Sequence, residues 1–170
     1  SKKDLQSGTI RLPAYRALYL DHILKEGPGI TYYRDQLFKS MVRAVKTVED
    51  SDEPVPARFE AILREYQKTG FRWMKTLDKC GFGGILADDM GLGKTIQVIA
   101  LFEDTYSSGE KAPSLVVCPA SLVYNWEQEI QKFAPDLKVR SVVGTGPQRL
   151  ELLEKIKEDP SGCQILITSY

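Results

Sequence analysis

Apolar residues follow two different rhythms along this chain, and the change comes just past residue 80. Before it the spacing is helical. Residues 13–26 read as a first helix, with Pro13 tolerated in the first turn and Gly27-Pro28-Gly29 as its stop. Residues 31–48 read as a second, because Tyr33, Leu37, Met41, Val45 and Val48 recur near a period of 3.6. A third is expected over residues 57–79, with Phe59, Ile62, Leu63, Tyr66, Gly70, Trp73, Met74 and Leu77 as its stripe and Cys80-Gly81 as its end. Between the second and third lies Asp50-Ser51-Asp52-Glu53-Pro54-Val55-Pro56, acidic and rich in proline, which reads as an extended linker. The expected organisation is a helical segment over residues 1–50, a linker over 51–56 and a main domain over 57–170. Two amphipathic helices cannot bury both apolar faces by themselves, so the front pair must pack on something else.

After residue 80 short apolar runs alternate with helical stretches. Strands are expected at 84–87, 114–118, 139–143 and 164–168. Helices are expected at 94–106 (Ile96, Ile99 and Ala100 inward), at 121–133 (Leu122, Trp126, Ile130 and Phe133) and at 147–157 (Leu150, Leu153 and Ile156). Strands buried on both sides and separated by helices imply an α/β fold, a parallel sheet with helices on both faces joined by right-handed crossovers. The last strand reaches the end of the chain, so the sheet reads as part of a larger one.

Composition narrows this little. At 42% hydrophobic and 27% charged the chain reads as globular. Lys plus Arg equals Asp plus Glu, 23 each, so a nucleic-acid surface has to be local. Cys80, Cys118 and Cys163 have no metal-ligand spacing, and Cys118 sits in an apolar run as a small buried hydrophobe. No apolar stretch is long enough to span a membrane. His22 reads as a helix-surface residue.

Chemistry concentrates in Asp88, Asp89, Met90, Gly91, Leu92, Gly93, Lys94 and Thr95. A strand entering this loop and a helix leaving it would aim backbone N–H groups and the helix's positive end at one point, where a phosphate fits. Gly91 and Gly93 let the backbone curl closely. Lys94 is placed for the outer phosphates, and the Thr95 hydroxyl for a Mg²⁺ ion. Asp88 departs from the strict G-x-x-x-x-G-K-[ST] pattern by standing where the first glycine belongs. It is expected to face away or to hold water around the magnesium. The bland alternative is a glycine-rich turn with an exposed lysine.

The flanking residues carry a resemblance. Leu63-Arg64-Glu65-Tyr66-Gln67 precedes the loop, and Leu86–Thr95 is followed by Ile96-Gln97. Val117-Cys118-Pro119-Ala120-Ser121-Leu122-Val123-Tyr124-Asn125-Trp126 with Glu129, and Ile165-Leu166-Ile167-Thr168-Ser169-Tyr170, complete the series. In order and spacing these resemble the Q motif and motifs I, Ia and Ib of the Snf-type (SWI/SNF-like) ATPases of helicase superfamily two, over residues 57–170. An aspartate at position 88 is itself usual in that family. Residues 1–55 carry no motif of their own.

The resemblance implies a RecA-like lobe using ATP and magnesium. Gln67 would bond the adenine edge and Arg64 would pack near the base; without the resemblance both read as the wet face of a helix. Pro119, Ser121 and Leu122 would touch the backbone of double-stranded DNA through free helix N–H groups, a grip that needs no net positive charge, whereas the plain reading makes Ser121 an N-cap. Asn125 and Trp126 would fix their helix in place. Thr168 and Ser169 would be a second backbone contact. The family hydrolyses ATP with an acidic Asp-Glu box and arginines of a second lobe, neither of which falls within these residues. The expectation is thus the ATP-binding part of a translocase on double-stranded DNA that remodels DNA-bound proteins, itself inactive in hydrolysis. Its place would be the cytoplasm (nucleoid) of a bacterium or the nucleus of a eukaryote. Three rivals are weaker. A small nucleotide kinase would not need Arg64 and Gln67 ahead of the loop, a guanine-nucleotide switch would carry an Asn-Lys-x-Asp run, and a structural adaptor would not keep Lys94 and Thr95.

Overall fold

The computed structural model describes Pro13 and residues 16–26, 33–47 and 52–170. The chain divides into two compact units, residues 1–53 with 72–86, and residues 54–71 with 87–170.

In the first unit, helix α1 spans Ala17–Glu26 and α2 spans Gln36–Lys46. The Asp35 carboxylate caps α2 by accepting from the Phe38 N–H at 2.7 Å. Both helices are shorter than their apolar periodicity suggested, and part of each expected range lies outside the described residues. Tyr33 and Leu37, assigned to the apolar stripe, are exposed, while Met41 and Val42 are buried. The helix pair is joined by charge as well as by apolar contact. Asp21, 2% exposed, ion-pairs with Arg34 at 2.6 Å and with Lys46. Such a buried carboxylate is tolerable because both oxygens face cations. His22 lies on the exposed side of α1.

The expected helix at 57–79 is broken in two. A single turn, α3 (Ala57–Glu60), is followed by α4 (Glu65–Lys79). The break has a local cause. The Gln67 side-chain oxygen accepts from the Arg64 backbone N–H at 2.9 Å, as a residue three places into a helix does when it reaches back to the start. The new register buries Phe59, Leu63 and Phe71 and exposes Ile62 and Tyr66. The expected strand at 84–87 does not pair with the sheet, and Ile85 is exposed. Instead the Gly84 backbone presses against Trp73 and Leu77 of α4. A Cβ there would meet Leu77 Cδ1 and Trp73 Cη2, each at 2.4 Å, so the glycine that opens this run serves close approach rather than a ladder.

The second unit holds α5 (Lys94–Ser107), β1 (Ser114–Cys118), a 3-10 turn (Ala120–Leu122), α6 (Val123–Phe133), β2 (Val139–Val142), α7 (Gly146–Glu158), a second 3-10 turn (Pro160–Gly162) and β3 (Ile165–Ser169). The three strands form a parallel sheet in the order β1-β3-β2, with Val116 opposite Ile167 and Ser141 opposite the same residue from the other side. The core lies on one face, where Ile99 of α5, Ile130 of α6 and Ile165 and Ile167 of β3 are fully buried. Helix α7 packs beside β2, outside that cluster. Leu115 and Val117 on the opposite face of β1 are exposed. Tyr106, at the end of α5, ties helix to sheet. Its hydroxyl donates to the Gln164 carbonyl and accepts from the Ser114 N–H at 2.7 Å.

Candidate nucleotide site

The loop at residues 88–95 enters α5 through two glycines in the left-handed region, Gly91 at φ 85° and Gly93 at φ 76°. L-residues rarely adopt that conformation. Gly93 is the N-cap of α5 and offers no side chain, so the first N–H groups of the helix receive no side-chain cap. Its missing Cβ also makes room. A Cβ at Gly93 would lie 2.5 Å from Gln67 Nε2.

Helix α4 holds the loop from behind. Gln67 Nε2 donates to the Leu92 carbonyl at 3.0 Å, and the Tyr66 hydroxyl donates to the same oxygen at 3.1 Å. The expected base-contact residues are therefore placed differently. Gln67 is buried and joined to the loop, while Arg64 is exposed at the start of α4. The Asp88 carboxylate accepts from Gln97 Nε2 at 2.9 Å. Gln97 is fully buried one turn into α5. Lys94 lies back over the loop, its Nζ donating to the carbonyls of Asp88 at 2.7 Å and Asp89 at 2.9 Å. Met90 is exposed at the tip.

A cleft of about 410 Å³ opens beside these residues, lined by Gly91, Gly93, Lys94, Thr95 and Ile96 on one side and by Asn125, Glu129 and Phe133 of α6 on the other. Oxygen donors of the kind magnesium takes, Thr95 Oγ1, the Glu129 carboxylate and the Asn125 amide, line one cavity. Asn125 and Glu129 were not legible as site residues. Their signals are their place in the run Val117–Trp126 with Glu129 that carries the resemblance, and the four-residue spacing that puts both on one face of α6.

The two expected DNA contacts differ in availability. Pro119 precedes the 3-10 turn that holds Ser121 and Leu122, and both of these are exposed. No side chain caps that turn or α6, so Ser121 is not an N-cap. Thr168 and Ser169 are engaged inside the fold. Thr168 Oγ1 donates to the Val142 carbonyl at 2.9 Å. Ser169, 7% exposed, accepts from Arg149 on its carbonyl at 3.1 Å and on its hydroxyl at 2.7 Å. Arg149, twenty residues upstream, was missed because nothing in its local pattern marks it.

Sheet order, loop and flanking helices define a RecA-like α/β fold. Residues 66–170 match the SNF2-related domain, and residues 1–56 match a domain described as bacterial SNF2 helicase associated. The chain belongs to the SNF2 family. Bacillus subtilis YwqA, whose name is that of an ATP-dependent helicase/translocase, is 44% identical over 71% of this chain and 13% of its own length. Helicase SWR1 of Kluyveromyces lactis is 45% identical over 71% of this chain and 8% of its own. The Sulfolobus solfataricus SWI2/SNF2 ATPase core, solved in complex with dsDNA, superposes with a TM-score of 0.53 at 44% identity, covering 64% of this chain and 21% of that one. A second structure, of that core domain, gives 0.57 at 38% identity over 85% of this chain and 25% of its own. The chain thus spans about a tenth of the length of these curated relatives. The match over residues 1–56 gives the front helices a family that their own pattern did not suggest.

Proposed function

We propose that residues 88–95 seat the phosphates of ATP with magnesium, and that the protein is a DNA-dependent ATPase that translocates on double-stranded DNA and displaces or remodels DNA-bound proteins. One observation carries the nucleotide reading. The N-terminus of α5 is capped by a left-handed glycine with no side chain over its free N–H groups, which is the arrangement that accepts a polyanion. Lys94 leaves the Asp88 and Asp89 carbonyls for the β- and γ-phosphates, and Thr95 supplies a hydroxyl to the magnesium. Magnesium, when bound, neutralises charge between the outer phosphates. Arg64 offers a planar guanidinium to the adenine face. Gln67 keeps one amide hydrogen and one lone pair beyond its present bonds, enough to meet a base edge.

On the DNA side, the exposed Ser121 hydroxyl and the uncapped N–H groups after Pro119 support backbone contact at Pro119, Ser121 and Leu122. Thr168 and Ser169 would contribute backbone groups rather than side chains. The bacterial description of the 1–56 match favours the cytoplasmic nucleoid over a nucleus.

The test is direct. In the full-length protein, Lys94→Ala should weaken binding of a fluorescent ATP analogue by about tenfold or more, the scale of a lost charge-assisted contact or two. DNA-stimulated phosphate release should fall with it. Unchanged nucleotide affinity in a folded Lys94→Ala protein would remove the proposal.

A further inference from the structure

The cleft beside the loop has a feature that phosphate binding does not explain. Glu129 is partly buried, lines the same cleft as Lys94 and Thr95, and makes no hydrogen bond or ion pair among the described residues. Lys94 is not its partner, since that ammonium is bonded to the Asp88 and Asp89 carbonyls. Asn125, one turn earlier on the same face of α6, is also uncommitted and lines the same cavity. An unpaired carboxylate beside a triphosphate seat is repulsive unless a cation lies between the two.

We infer that Glu129 and Asn125 hold, through water, the magnesium of the bound nucleotide. Magnesium dehydrates reluctantly and keeps several waters even when phosphates and one hydroxyl ligate it directly. Those waters are donors. A carboxylate and an amide oxygen on one helix face are acceptors of the matching kind. The inference rests on the reading of residues 88–95 as the nucleotide's seat. It adds that α6, an element outside the loop, sets how strongly the nucleotide depends on the metal. Glu129 is then a positioning residue, acting through the hydration shell.

The experiment measures affinity for a fluorescent ADP analogue in the full-length protein across a magnesium titration and in EDTA. Glu129→Gln keeps the shape of the side chain and removes its charge. It should raise the magnesium concentration at half-maximal binding by about tenfold, the lower end of what outer-shell partners contribute to metal affinity. Affinity in EDTA should stay unchanged or tighten, because the repulsion is gone. Asn125→Ala should move the midpoint in the same direction by less. Equal losses with and without magnesium would mark Glu129 as merely structural, and an unmoved midpoint in a folded variant would overturn the inference outright. Lys94→Ala in the same assay separates the two claims. If it binds nucleotide like the parent in EDTA, the phosphate seat has failed; if it loses binding while Glu129→Gln is silent, only the role of α6 has.

Discussion

At the scale of residues, Gly93 decides the loop. It combines a left-handed backbone at φ 76° with a Cβ position 2.5 Å from Gln67 Nε2. Gly93→Ala pays for the left-handed backbone, about 1–2 kcal/mol, and must also push Gln67 off the Leu92 carbonyl. A thermal melt should show the loss, and nucleotide binding should fall in parallel; a variant as stable as the parent would contradict the geometry. That Gly91 and Gly93 let the backbone curl was legible in the sequence, because they stand beside a lysine and a threonine at the spacing of a phosphate loop. The commitments of Thr168, Ser169 and Gln67 were not. Each is set by a partner on another element, Val142, Arg149 and Leu92, and one chain read alone does not show which strand ends face which helix.

At the scale of elements, sequence rhythm found β1 at its observed ends and β2, β3, α5 and α6 to within a residue or two, since their apolar faces meet one core. It failed where capping or close approach outranked period, at the break between α3 and α4 and at the unpaired run 84–87. The far end of α4 shows a different control. Glu53 ion-pairs with Lys79 and with Lys75 at 3.7 Å, and its carbonyl accepts from Arg72 Nε at 3.2 Å. The Lys79 contact, set against a smaller opposing effect of burial, holds the Glu53 carboxyl below its ordinary value of 4.5. The folded state then binds this proton more weakly than the unfolded chain. The stabilisation is present above pH 4.5 and disappears as the pH falls through the lower folded value. The difference in melting temperature between the parent and Glu53→Gln should therefore be largest near neutrality and close in acid. A gap that keeps the same size from neutrality down through the acid range would show that Glu53 acts through packing.

For the whole molecule, the balance of 23 basic and 23 acidic residues limits what charge can say about partners. The DNA reading leans on uncapped helix starts, which charge totals do not register. The 170 residues carry the loop without an Asp-Glu box after it. Produced separately, they should bind the ATP analogue yet turn over ATP at least about a hundredfold more slowly than the full-length protein, since water positioning and metal clamping contribute factors of that order. A single-turnover measurement checks this, and comparable rates would place the hydrolytic groups within these residues.

The bond from Gln97 Nε2 to the Asp88 carboxylate also restricts how this loop can change over generations. Gln97 is fully buried, and its Oε1 already has no hydrogen-bond partner. Exchanging Asp88 for the glycine of the strict pattern would strand the other end of the same amide in the interior. The two positions are thus bound by epistasis: the path from this loop to the glycine form passes through an apolar residue at 97 before position 88 is free to move.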